Sequence, residues 1–146
     1  MAIQVVRCKL SDYAAAIRTI RKTVFVVEQG VPIELEMDDR DPFCNHILAL
    51  VDGHPGGTAR LDITAPSMVG KIGRLAVLPR FRGQGLGRLI MQEIETIGYE
   101  HHLPHLWCHA QKTAVSFYKT LGYKITGPDF TEAGIEHCKM QKTLKL

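Results

Sequence analysis

Three glycines at alternate positions, Gly83, Gly85 and Gly87, stand among Arg80, Arg82 and Arg88, just after the apolar run Leu75-Ala76-Val77-Leu78 and just before a helical pattern. A strand that passes through such a loop into a helix N-terminus suits a phosphate group. The first-turn N–H groups lack intrahelical partners, and the helix dipole adds partial positive charge at the same place. Glycine lets the backbone approach an anion without a Cβ in the way, and the arginines add formal charge. Glycines alone would serve a tight strand-to-helix turn equally well; with three arginines the reading moves to an anion, and a diphosphate fits. The common nucleotide loops do not. The sixth position counted from Gly83 is Arg88 and no acidic residue closes the stretch 107–110, against a dinucleotide fingerprint, and no G-K-[ST] is present for a triphosphate loop.

His101, His102, His105 and His109 invite a metal reading, with Cys108 alongside. Strand residues four apart are separated by about 13 Å, too far to share one ion, so no metal is expected. A Cys108 nucleophile with His109 as its base fails for a related reason, because neighbours on a strand point to opposite faces.

These groups need elements to hold them. The stretch 3–8 reads as an edge strand, and Ser11 offers an N-cap to an apolar series Tyr13, Ile17, Ile20 and Val24 at helical spacing. Residues 30–44, with Pro32 and Pro42, read as a long loop containing a short helix, a type of segment that often carries function. Strands at 47–51 and 58–63 flank the turn 52–57, and a third at 71–78 follows the break at 66–70. Leu86, Leu89, Ile90, Ile94 and Ile97 form one face of a helix reaching about Tyr99. A strand at 105–110 leads to a helix capped by Thr113 and stopped at Gly122, and strands at 123–126 and 137–141 close the chain around Gly127-Pro128.

With 146 residues, 45% hydrophobic and 23% charged, the chain is expected to form one mixed α/β domain over 1–146. A net charge of +3 with scattered basic residues gives no support to nucleic-acid binding. No apolar stretch approaches a membrane span, and four widely spaced cysteines suggest reduced thiols, so a cytoplasmic location without membrane partners is expected.

The motifs also carry a resemblance. Arg82-x-x-Gly85-x-Gly87 behind Leu75-Ala76-Val77-Leu78-Pro79 resembles the acetyl-CoA signature of the GNAT N-acetyltransferases. Ala110-Gln111, Ala114, Phe117-Tyr118 and Gly122-Tyr123 resemble the family's second signature. Val24-Phe25-Val26 to Gln29, with the tail from Phe130 to His137, is similar to the small bacterial ElaA/YjcF-like branch.

The resemblance implies an α/β (α+β) single-domain acyl-CoA N-acyltransferase fold. Its mixed sheet would have six or seven strands, antiparallel at the start and splayed at the centre, flanked by about four helices. It implies acetyl-CoA as cosubstrate, its pyrophosphate over Arg82, Gly83, Gln84, Gly85, Leu86, Gly87 and Arg88 and its pantetheine along Leu75, Ala76 and Val77. An N–H near Val77 would face the developing oxyanion. Phe117 and Gln111 would also meet the coenzyme, Gln111 standing where many relatives carry asparagine. Tyr118 would protonate the departing thiolate, although periodicity alone makes it a packing residue of a short helix. For the base that deprotonates the amine, Glu28, His46, His109, Glu132 and His137 are candidates, with Glu28 and His137 ranked first; each is otherwise an ordinary solvated or hydrogen-bonded residue.

The implied reaction is direct acetyl transfer to a primary amine of a small acceptor, with no covalent enzyme intermediate. A non-catalytic acyl-CoA-binding module and a protein-modifying acetyltransferase are the rival readings. Glu34, Glu36, Asp38, Asp39 and Asp41 would border the acceptor entrance and draw a cationic amine there, unless they form only a solvated loop. An exposed sheet edge would allow a homodimer.

Overall fold

A computed structural model of the chain describes residues 1–64 and 68–145. The elements are β1 (Ile3–Cys8), α1 (Leu10–Arg21), α2 (Ile33–Glu36), β2 (Asn45–Val51), β3 (His54–Thr64), β4 (Val69–Val77), α3 (Leu86–Glu100), β5 (His105–Gln111), α4 (Val115–Thr120), β6 (Lys124–Ile125), β7 (Phe130–Glu132) and β8 (Ile135–Thr143). They build one sheet in the order β1-β2-β3-β4-β5-β8-β6, with β7 paired on β8. The eight strands among the described residues exceed the expected six or seven, because the Ala133-Gly134 turn folds the three-residue β7 back onto β8. The break expected at 66–70 lies mostly outside the described residues.

β1 to β4 form an antiparallel meander. The β2–β3 turn is tighter than the six residues of its sequence signal: Val51 pairs with His54, leaving Asp52 (φ 49°) and Gly53 (φ 83°) as a two-residue loop with both φ positive. Such loops match the right-handed strand twist, and Asp-Gly is a favoured pair for them.

Helix α3 lays Ile90, Met91, Ile94 and Ile97 on one face of the sheet, against Leu61, Ile72, Leu106, Cys108 and Met140. The other face receives α1, whose Ile17 and Ile20 pack with Val24, Leu48 and Ala76. Ser11 is not the cap of α1; the helix begins one residue earlier, and Asp12 accepts the Lys9 N–H at 3.2 Å. Tyr13 departs from helical geometry and is largely exposed, so the buried stripe starts at Ile17. Thr113 likewise lies inside a 3₁₀ turn, Lys112–Ala114, that precedes α4. Past Arg21 the backbone continues as a π-helix over Lys22–Glu28, a rare geometry that is frequent at functional sites.

The 30–44 loop is held by ion pairs buried beneath it. Arg21, 2% exposed, donates to both carboxylate oxygens of Glu36 and to Asp41 at 2.7–3.2 Å. Arg60 bridges Asp41 and Asp38 at 2.7–2.8 Å, Arg74 reaches Glu36, and Arg40 holds Asp62 at 2.8–2.9 Å. Glu36, Asp38 and Asp41 are therefore matched by arginines from other elements. The acidic run is mainly an internal clamp that fixes the loop to the sheet, which corrects the reading of it as a lure for a cationic acceptor.

Candidate active site

The parallel pairing of β4 with β5 lasts three residues, from Gly70↔Leu106 to Ile72↔Cys108. Beyond Ile72 the two strands part. A β-bulge starts at that point: Arg60 pairs with Gly73 and Thr58 with Ala76, so two steps on β3 oppose three on β4. Arg74 carries the extra residue at φ 57°, an uncommon conformation for a residue with a Cβ. Its guanidinium holds it there by donating to the carbonyls of Leu35 and Glu36. Bulges bend the strand that carries them, and β4 parts from β5 where this one begins.

The parting opens a cleft of about 480 Å³ lined from both faces of the sheet. Leu75, Val77, Cys108, Ala114 and Tyr118 line it on the α3–α4 side; Phe25, Gln29, Lys71, His109, Glu132 and His137 line it on the α1 side. Leu78 donates its N–H to Gly56 on β3 at 2.8 Å. By the alternation of an antiparallel ladder, the polar groups of Val77 turn the other way, toward the gap. Val77 O accepts Arg82 Nε there at 2.9 Å, and the Val77 N–H faces the same opening.

The glycine loop meets the demands of a phosphate cradle. Gly83 (φ 78°) and Gly85 (φ 85°) are left-handed, with open space where a Cβ would stand, so conformation is what requires glycine. At Gly87 the reason is different: a Cβ would stand 3.3 Å from Phe117 Cζ, the contact by which α4 docks on the loop. Gly85 is the N-cap of α3, and its carbonyl accepts the first helical bond from Leu89. The N–H groups of Leu86, Gly87 and Arg88 precede that bond and point out of the helix end.

Tyr118 lies between Phe117 and Tyr123, ring centroids 5.3 and 5.8 Å away, and is 7% exposed. Among the described residues its hydroxyl has no hydrogen-bond partner. Burial raises its pKa well above the ordinary phenol range, so it stays protonated and available as a donor. Cys108, on the same face, is pushed by burial up to about 12, which removes it as a nucleophile at neutral pH.

On the α1 face, His137 Nδ1–H donates to Ile135 O at 2.7 Å, which leaves the Nε2 lone pair free in the neutral ring. Glu132 Oε2 stands 3.9 Å from that Nε2 and 3.3 Å from His109 Nδ1. His109 is lowered, first by burial and then by the charge of Lys71. His109, Glu132 and His137 thus gather at the cleft, while the other two base candidates do not. Glu28 is an exposed partner of Arg82 at 2.6–2.7 Å, and the guanidinium lowers its pKa, making it a weaker base outside the cleft. His46 is 1% exposed and held by the carbonyl of Asp41 at 2.9 Å, away from the cleft.

Gln111 reaches the cleft, its amide donating to Gln29 Oε1 at 2.9 Å. Gln29, Lys71 and Arg74 are cleft residues that the sequence does not single out; for Arg74 the only signal is the adjacent Gly73, and for Gln29 its place at the end of the segment that starts at Val24. Among the described residues, no three His, Cys, Asp or Glu side chains are arranged to hold a metal ion, and no helix is long and apolar enough to cross a membrane.

Residues 23–144 match the family described as Acetyltransferase (GNAT) domain. A Bacillus subtilis protein named for acetyltransferase activity is 40% identical over 126 residues, 84% of each chain. The uncharacterized Bacillus subtilis N-acetyltransferase YjcF is 35% identical over 124 residues, covering 84% of this chain and 87% of YjcF. The crystal structure of Escherichia coli ElaA superposes with a TM-score of 0.84 at 26% identity, over 97% of this chain and 99% of ElaA. The chain is thus a member of the GNAT acetyltransferase family, in the branch of ElaA and YjcF.

Proposed function

We propose that the chain transfers an acetyl group from acetyl-CoA directly to the primary amine of a small acceptor. The observation that carries this reading is the cleft itself, which is lined by Tyr118 on one face of the sheet and by His109, Glu132 and His137 on the other. The N–H groups at the start of α3, with Arg82 and Arg88, would bind the pyrophosphate, and the gap-facing backbone of Leu75 and Val77 would pair with the pantetheine, which would displace Arg82 Nε from the Val77 carbonyl. The Val77 N–H would donate to the carbonyl oxygen as it gains negative charge.

The acceptor amine enters from the α1 face. As its nitrogen bonds the acyl carbon and the C–S bond breaks, His137 Nε2 takes one amine proton, and Tyr118 donates to the departing sulfur. The four cysteines are free thiols, which suits a reducing compartment, and we place the reaction in the cytoplasm.

The test is thiol release from acetyl-CoA by the purified protein over a panel of amines. Amine-dependent release is expected. Binding of acetyl-CoA with no release for any amine would instead make the chain a binding module, and labelling of protein lysines alone would give it a macromolecular acceptor. His137→Gln should lower kcat/KM for the amine about tenfold and leave acetyl-CoA affinity unchanged; the loss stays moderate because Glu132 can take the proton through water. Wild-type turnover in that variant would move the base to Glu132, His109 or solvent.

Tyr118→Phe should lower kcat about 10- to 100-fold at unchanged acetyl-CoA KM. The hydroxyl bonds nothing within the described chain, so the variant should melt at or above the wild-type temperature. An equal loss of turnover and thermal stability would make Tyr118 a packing residue after all.

A further inference from the structure

The reading of the site as an amine acetyltransferase leaves the acceptor open, and the charges at the cleft narrow it. The charged side chains lining the cleft are Glu36, Lys71, Arg74, Arg82 and Glu132. Three are engaged by other charges: Glu36 by Arg21 and Arg74, and Arg82 by Glu28. Two remain. Lys71 has no carboxylate within ion-pair distance among the described residues, and the acid opposite it on β3, Asp62, is taken by Arg40 through two bonds. Lys71 Nζ instead stands 5.0 Å from the centre of the Trp107 ring, which Lys139 also approaches, at 4.6 Å. The second is Glu132, 48% exposed, beside the two imidazoles.

The register places these groups on one surface. Lys71 pairs with Trp107, His109 with Lys139, and Gln111 with His137, all on the face opposite the buried Cys108 and Ala110. His109 lies between the two open charges: it feels the positive field of Lys71 and touches Glu132. An opening with one cation and one carboxylate, each without an ionic partner of opposite formal charge, complements a ligand bearing both signs.

We propose that the acceptor is a zwitterion, an amine that also carries a carboxylate or phosphate, with its anionic end held by Lys71 and its amine delivered to Glu132 and His137. Lys71 cannot hold a plain alkylamine or a polyamine, whose like charge it repels. The Trp107 ring keeps the lysine stem in place, and Lys139 adds to the positive field on the anion's side.

The experiment compares matched acceptors in the thiol-release assay. One set is the ω-amino acids from glycine to 6-aminohexanoate, each against its primary amide; the other is O-phosphoethanolamine against ethanolamine. For wild type, at least one charged member should exceed its uncharged partner about tenfold in kcat/KM. The carboxylate series and the phosphate pair tell which anion is used, and the best chain length reads the spacing between Lys71 and the base. Lys71→Met should reduce that charged-to-uncharged ratio about tenfold, and Lys71→Arg should retain most of it. Equal kcat/KM across every pair, or an equal loss for both members of a pair in Lys71→Met, would overturn the zwitterion while leaving amine acetylation standing. Absence of turnover with every amine would overturn the amine-transfer reading and this inference with it.

Discussion

Replacing Gly85 with glutamate should abolish measurable binding of acyl-CoA, with Kd raised at least about a hundredfold. Two effects add. At φ 85° a residue with a Cβ is strained by about 1–2 kcal/mol. The new carboxylate would then sit at the helix end where Leu86, Gly87 and Arg88 present their N–H groups, competing for donors that each contribute about 1.5–3 kcal/mol to a charged partner. Gly85→Ala separates the two effects, since it carries the strain without the charge and should weaken binding by about tenfold. Isothermal titration with coenzyme A measures both variants. Wild-type affinity in Gly85→Glu would mean that the pyrophosphate lies elsewhere.

Arg21→Met should cost about 3–5 kcal/mol, the range for removing one partner from a buried ion pair. For a chain of this length that lowers the melting temperature by roughly 10–20 °C. The reason is geometric. Arg21 donates to Glu36 and Asp41 together, and with methionine there both carboxylates remain beneath the loop with only Arg74 and Arg60 to balance them. Arg21→Lys should recover part of the loss, since one ammonium cannot reproduce the bidentate fork. A melting temperature within about 2 °C of wild type would show that the network is energetically neutral.

The same network sets behaviour in acid. Arg60, against some opposition from burial, holds the Asp38 carboxyl down at about 2. Asp41 is also lowered, its burial outweighed by Arg21 and Arg60. Groups depressed in the folded state contribute stability above their unfolded value near 3.9, and that contribution is lost as pH falls toward 2. In Arg21→Met the loss on acidification should be shallower, because part of it has already occurred.

Local physics made much of this protein legible in its sequence. Positive-φ glycines at a helix start, the apolar stripe of α3 and the aromatic pair Phe117-Tyr118 each announce themselves within a few residues. Features that depend on distant partners did not. Arg21 meets Glu36 and Asp41 across 15 and 20 positions, so five nearby acids looked like a surface when most of them face arginines from other elements. The bulge at Arg74 left no pattern, because strand alternation continues on both sides of it and only the ladder with β3 reveals the extra residue. Glu28, ranked with His137, and His46, a lower candidate, are both consumed by tertiary contacts that no local pattern announces. Strand β7 is too short to show a period.

The brevity of the β4–β5 pairing also gives the molecule a line of weakness. Seven register pairs join β3 to β4 and seven join β5 to β8, yet three hold the two halves of the sheet together between them. Under load the sheet is two plates fastened by a short seam at Gly70–Ile72. Its resistance to shear rests on α3, which packs on both plates, with Ile90 against Gly57 on one and Gly98 against Leu106 on the other.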